Sequence, residues 1–156
     1  MRHLAGSLSL AGIVLLLLLP PVGASPLEGV QALDVVVEAF QSNLVQAGLT
    51  PPQLRADVLR RLTGSGISVD PTSPTLLVVT CTADRKAGTT ALRVHVGVEP
   101  RILLAQVSSL VEMPRTRWQL TGLSVSDQLL AADVQALVLD LVDQFISAYR
   151  EQQHPK

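Results

Sequence analysis

Few residues in this 156-residue chain have the types and spacing that catalysis or metal binding requires. Three histidines are present, of which His3 falls in an apolar amino-terminal segment and His154 in a polar carboxy-terminal one. His95 alternates with apolar residues and lies on the polar side of a predicted strand. Since no second ligand stands at metal-binding spacing from it, the sequence predicts a surface histidine, and neither a metal site nor a general base.

Two other patterns could carry chemistry, a glycine-flanked serine and a pair of carboxylates. Gly64-Ser65-Gly66 follows a predicted helix instead of preceding one, and the carboxyl end of a helix disfavours an anion. Asp140 and Asp143 share a predicted helix face that offers no apolar pocket to raise a pKa. The sequence also contains no nucleophile elbow, phosphate-binding loop, dinucleotide fingerprint or calcium loop. We therefore expect no catalytic residue and no cofactor.

The amino terminus has the three regions of a secretory signal peptide. Arg2 precedes an apolar run over residues 8–19, prolines end that run, and residues 22–24 are small. A membrane anchor is the alternative, but the run is shorter than the roughly 20 residues that span a bilayer. No cysteine directly follows it, so a lipidated amino terminus is not expected. The sequence predicts cleavage after Ala24 and a soluble periplasmic or secreted protein without a membrane span.

Charge and composition exclude several classes of partner. The net charge is −1 and aromatic residues make up 3% of the chain. A nucleic-acid partner is not expected, because the basic footprint and the stacking surface that it requires are both missing from the sequence. The single cysteine, Cys81, rules out an intrachain disulfide. Its alternation with Leu77 and Val79 predicts a buried structural thiol, and a bridge to another chain stays open as the alternative.

Local patterns predict a helix and several strands. Residues 32–48 are ambiguous, and a strand over 33–40 is favoured over a helix because of its β-branched cluster. Thr50, followed by two prolines and Gln53, predicts the start of a helix that Gly64 and Gly66 end. Extended runs predict strands over 67–69, 76–83, 92–98 and 115–125, and residues 84–88 are expected to form a hairpin connection. Pro100 interrupts the third of these runs and indicates a sheet edge or a bulge. Ile102 and Leu104 are expected to resume that strand.

The last predicted element is a long amphipathic helix that begins at Ser126 or Asp127 and has roughly 23 residues. Its apolar stripe comprises Leu130, Val134, Leu137, Leu141, Phe145 and Ala148, widened by Leu129, Val138, Val142 and Tyr149. Residues 152–156 are expected to form a frayed polar tail.

Strand alternation places a set of polar side chains on the face that points away from the core. This predicted interaction surface comprises Arg93, His95, Arg117 and Gln119. An edge strand that pairs with a partner strand is a second possible contact, and it requires no special side chains.

Four segments carry a resemblance to known proteins: GLTPPQLRADVLRRLTGSGISV, TLLVVTCTA, RWQLTGLSV and VLDLVDQFISAYREQ. They resemble a family of small, exported bacterial α/β proteins, and their order is similar to that of envelope modules such as LptE and the amino-terminal domain of TolB. The missing lipid-attachment cysteine departs from LptE. The resemblance implies no catalytic residues, and fold likeness does not fix function.

The sequence thus predicts one α+β domain over residues 32–151, preceded by a leader at 25–31. We expect a mostly antiparallel sheet of four to five strands with two helices on one face, in the order β-α-β-β-β-β-α. The favoured function is a non-enzymatic, exported accessory module of the cell envelope that contacts a protein partner. A small binder of an apolar ligand between helix and sheet is the first alternative, and an enzyme of unrecognised type is the second. The oligomeric state stays open.

Overall fold

The computed structural model describes residues 26–101 and 117–154, and these residues form the predicted α+β fold. One five-strand sheet carries its two long helices on a single face. A five-residue helix, α1, was not predicted. The elements in chain order are β1 Ala32–Val37, α1 Ser42–Gln46, α2 Pro51–Gly64, β2 Ser68–Val69, β3 Thr75–Lys86, β4 Thr89–Pro100, β5 Trp118–Ser126 and α3 Ala131–Gln153.

The sheet is mixed, with strand order β2-β1-β3-β4-β5. Its long ladders, between β3 and β4 and between β4 and β5, are antiparallel as expected. β1 instead runs parallel to both of its neighbours, and its residues 34–37 pair with residues 76–79 of β3. The strand interpretation of the ambiguous segment is therefore confirmed, although β1 ends at Val37 and not at residue 40.

The connection between β3 and β4 is shorter than predicted. Residues 84–86 are not part of a loop, because they continue β3 and pair with residues 89–91. Only Ala87 and Gly88 form the turn, and both have positive φ, at 51° and 84°. Two consecutive residues with positive φ match the right-handed twist of a two-residue hairpin, which lets the charged residues stay in the ladder.

Helix α2 begins where its capping signal predicts. The Thr50 side chain accepts a hydrogen bond of 3.4 Å from the Gln53 backbone amide, and Pro51 occupies the first helical position. The helix ends at Gly64, and Gly66 follows it with φ of 81°. Its buried residues, Leu54, Val58 and Leu62, lie on one face as the spacing predicts.

Helix α3 begins later than predicted. Ser126 still belongs to β5, where it pairs with Thr90, and its hydroxyl donates to the Gln128 carbonyl. The helix therefore starts at Ala131, after the extended residue Leu130, which is 46% exposed instead of lying in the buried stripe. The expected length of about 23 residues is nevertheless confirmed, because the helix continues to Gln153.

The two flanking segments are part of the domain and contact each other. Leu27 and Val30, in the predicted leader, are almost fully buried. The Leu27 amide donates to the Gln152 side chain at 2.8 Å, and the Gln153 side chain donates to the Leu27 carbonyl at 3.1 Å. The Tyr149 hydroxyl donates to the Val30 carbonyl. Gln152 and Gln153, expected in a frayed tail, are thus helical and anchored.

The hydrophobic core lies between the helices and the inner face of the sheet. That face carries alternate residues of each long strand, and α3 inserts the fully buried Phe145 against it. Trp118 of β5 meets Phe145 edge-on with ring centroids 5.1 Å apart. Pro100 is the last residue of β4, where it pairs with Thr75 of β3 and lies beyond the last residue pair with β5.

Several predictions fall outside the described residues. They are the signal peptide over residues 1–24, the resumed strand at Ile102 and Leu104, and the start of the strand predicted from residue 115. Among the helices that the structure describes, none combines the length and the apolar character needed to cross a membrane.

Cys81 confirms the prediction of a buried structural thiol. The side chain is 3% exposed, is not in a disulfide, and lies on the inner face of β3 opposite Val94. Burial raises the pKa of the Cys81 thiol from 9.0 to about 12, because the apolar surroundings disfavour the charged thiolate.

We expect Cys81 to be inert to a disulfide reagent such as dithionitrobenzoate in the native protein and reactive after unfolding in urea. Since the pKa is higher in the folded state, the native protein keeps its thiol proton between pH 9.0 and about 12, whereas the unfolded chain loses it. The free energy of unfolding should therefore decrease as pH rises through that window. Chemical unfolding of Cys81→Ala measured over the same pH range is the control, and equal pH slopes for both proteins would contradict the assignment.

Candidate functional site

The structure brings three of the four predicted interaction residues together on the outer face of the sheet, opposite the helices. In the β4–β5 ladder His95 pairs with Thr121. Arg93 is the preceding residue on the same face of β4, and Gln119 is the preceding residue on the same face of β5. Arg93 and Gln119 are exposed, and His95 is half-buried. Arg117 lies just before β5, where its backbone amide donates to the Val98 carbonyl at 2.8 Å. Arg93, His95 and Gln119 are thus neighbours on the outer face, and Arg117 lies at the end of β5.

A row of polar side chains crosses this face from β3 to β5. The Thr80 hydroxyl donates to the Glu38 carboxylate at 2.8 Å, and His95 Nδ1 lies 3.2 Å from the Thr121 hydroxyl. Glu38 and His95 thus each contact a threonine. In the described part of the chain no hydrogen bond or ion pair joins His95 to a carboxylate, which is the contact that would orient it as a general base.

The same face also exposes two large apolar side chains that the sequence analysis did not single out. Leu123 is 67% exposed and Val125 is 70% exposed, and both belong to β5. The signal was present, because the alternation that directs Gln119 and Thr121 outward also directs residues 123 and 125 outward. Because they are consecutive residues on the same face of the strand, the two side chains form one small exposed apolar patch.

The edge formed by β5 lacks the protective features that sheet edges usually have. No described strand pairs with its outer side. Its nine residues, WQLTGLSVS, include no charged residue and no proline, whereas natural edge strands are commonly short or carry lysine, proline or a bulge. Gly122 is explained by packing, since a Cβ there would lie 2.8 Å from Leu137 Cδ1 of α3.

The opposite edge of the sheet is protected. β2 has only two residues and therefore offers a short template. Beyond it, Arg55 reaches from α2 and donates from Nε to the Val35 carbonyl of β1 at 2.8 Å. The two edges thus differ, and only β5 presents a long, uncharged strand.

A buried carboxylate forms a cluster with two arginines, which the sequence analysis missed. Asp34 is 8% exposed, and its two oxygens meet Arg55 at 3.3 Å and Arg101 at 2.5 Å. Arg101 also donates to the carbonyls of Pro71 and Ser73. Because these contacts join α2, β1, the 70–74 loop and the end of β4, the cluster has a structural role.

Surface depressions offer no clear ligand site. One lies between α2 and α3 and is lined by Asp57, Arg60 and Arg61, and another lies against the hairpin and the start of α3. Both are wide open to solvent, unlike the enclosed pockets typical of small-molecule sites. Over residues 26–101 and 117–154, no three histidine, cysteine or acidic side chains are grouped so as to hold a metal ion.

Comparison with known proteins adds no further assignment. No protein-family model matches the chain, and no curated protein matches it significantly.

We expect Asp34→Asn to lower the free energy of unfolding by about 1–2 kcal/mol, because hydrogen bonds to charged groups contribute more than neutral ones. The matched control is Asp143→Asn, which removes the ion pair with Arg61 at 3.0 Å between side chains that are nearly half exposed. That change should cost at most about 0.5 kcal/mol. Urea unfolding of both variants measures the difference, and equal losses would contradict the role of the Asp34 cluster.

Proposed function

We propose that the protein is an exported, non-enzymatic interaction module that binds an extended protein segment along β5. The observation that carries this proposal is the combination of a long uncharged edge strand with Leu123 and Val125 exposed on its outer face. The mode of binding is strand addition, in which a partner strand forms main-chain hydrogen bonds with the free edge.

Energetics favour a covered β5. Burial of a leucine or valine side chain contributes about 1.5–3 kcal/mol, and β5 leaves two such side chains largely in water. A strand added beside β5 would cover the side of Leu123 and Val125 that faces away from β4. It would also form hydrogen bonds with the amides and carbonyls of β5 that point away from the sheet. Gln119 then lies on the strand next to the partner, where it can contact the partner's outward side chains, while Arg93 and His95 lie one strand further away on β4.

The predicted signal peptide and the resemblance to envelope modules support a role outside the cytoplasm. An exported protein with one buried cysteine depends on its core and its sheet for stability, since it cannot form an internal disulfide. A non-covalent contact through the sheet edge suits such a protein. The partner class is an envelope or secreted protein that supplies an uncharged extended segment.

Site-specific photocrosslinking in the producing cells tests the proposal. Gln119, exposed on β5, is replaced by p-benzoylphenylalanine, and Gln53, exposed at the start of α2, is replaced in the matched control. We expect a protein adduct from position 119 and none from position 53. Mass spectrometry of the adduct identifies whether the captured peptide comes from this protein or from another. Equal adduct formation at both positions would contradict the proposal.

A charge on the edge strand should abolish this contact without unfolding the protein. Leu123→Lys introduces a lysine, which natural edge strands commonly carry and which prevents pairing with another strand. Because residue 123 is exposed, the free energy of unfolding should change by less than about 0.5 kcal/mol. The control is Val45→Lys, on α1, where the wild-type side chain is 53% exposed. The position-119 adduct should disappear in the first variant and persist in the second. Persistence in both would show that β5 is not the contact.

A further inference from the structure

The charges that flank β5 are of opposite sign at its two ends. Arg117 immediately precedes Trp118, and Asp127 immediately follows Ser126. Both are exposed, and neither takes part in an ion pair within the described ranges. An uncharged strand bounded by a cation at one end and an anion at the other is complementary to an antiparallel copy of itself.

Symmetry restricts how two copies of β5 can pair. Directly opposite residues of an antiparallel pair point to the same face of the sheet. A symmetric pair therefore has its two-fold axis perpendicular to the sheet, keeps the helices of both copies on one face, and is centred on a single residue. The register that pairs all nine residues, Trp118–Ser126, is centred on Gly122.

That register satisfies the flanking charges and the exposed apolar side chains together. It sets Arg117 of each copy opposite Asp127 of the other, so two ion pairs form at the ends of the shared ladder. On the outer face, Leu123 of one copy lies opposite Thr121 of the other, and the two copies of Leu123 become diagonal neighbours across the axis. A shift of the register by two residues would lose two strand pairs and separate both charge pairs.

Within residues 26–101 and 117–154, no strand or helix is placed beside β5 in the plane of the sheet. α3 packs on β4 and β5, and Leu137 and Leu141 lie over Gly122 from the helix side. The added strand would lie in the plane of the sheet, on the side of β5 away from β4. It would not occupy the face of β4 and β5 on which α3 packs.

We propose that the partner strand at β5 is β5 of a second copy, paired antiparallel about Gly122 to form a continuous ten-strand sheet. This assignment rests on the proposed function, because it names the occupant of the same edge. A contact through one strand per copy is small, so the dimer is reversible and dissociates on dilution.

A charge-reversal cycle measured by sedimentation equilibrium tests the assignment. The wild-type protein should show a monomer–dimer equilibrium. Arg117→Asp or Asp127→Arg alone should weaken the dimer about tenfold, because each places like charges opposite each other at both ends. The combined Arg117→Asp/Asp127→Arg variant should restore the dissociation constant to within about threefold of wild type. Raised salt should weaken the wild-type dimer.

Arg60→Asp is the control, since it makes the same charge change on α2, where the wild-type side chain is 76% exposed. It should leave the dimer unchanged. A wild-type protein that is monomeric at all concentrations, or a dimer that the single reversals do not weaken, would overturn the assignment, as would a double variant that is not restored. Photocrosslinks from position 119 to a different protein would then still support strand addition, whereas their absence would contradict that function as well.

Discussion

The structure depends on the burial of one face of the sheet under α2 and α3. Alternate residues of β1, β3, β4 and β5 point to these helices, and fully buried side chains such as Leu77, Val94 and Phe145 fill the space between them. Two helices side by side cover one face of the five-strand sheet, and neither of them packs on the other face. Polar residues occupy much of that outer face, but Leu123 and Val125 do not fit this pattern.

The two sheet edges show that the exposure at β5 is specific. On the β1 side, a two-residue strand and the Arg55 side chain limit access, and the Asp34 cluster ties the same region to the end of β4. On the β5 side, none of the described residues provides comparable protection. Since unprotected edges promote association, the contrast between the two edges supports the proposal that β5 pairs with another strand.

Much of the fold could be predicted because its signals are local. The Thr50 cap, the alternation over residues 92–98 and the stripe of α3 each lie within one element, and each was confirmed, except that Leu130 lies before the helix and is exposed. The parallel placement of β1 depends on pairing with a strand about 40 residues away, for which no local pattern exists. Likewise, Asp34 and Arg101 are 67 residues apart, so their contact has no sequence signature. The exposure of Leu123 and Val125, by contrast, follows from simple alternation and could have been predicted.

The central claim is that β5 presents a free edge. Residue-resolved amide hydrogen exchange, measured by NMR on dilute protein, tests this most directly, because alternate amides of an edge strand point away from the sheet. We predict that alternate amides of residues 118–126 exchange far faster than the amides of residues 76–79 in β3 and 90–98 in β4, where strands pair on both sides. Uniform protection along β5 in dilute protein would mean that another segment already pairs with this edge, and it would contradict the account.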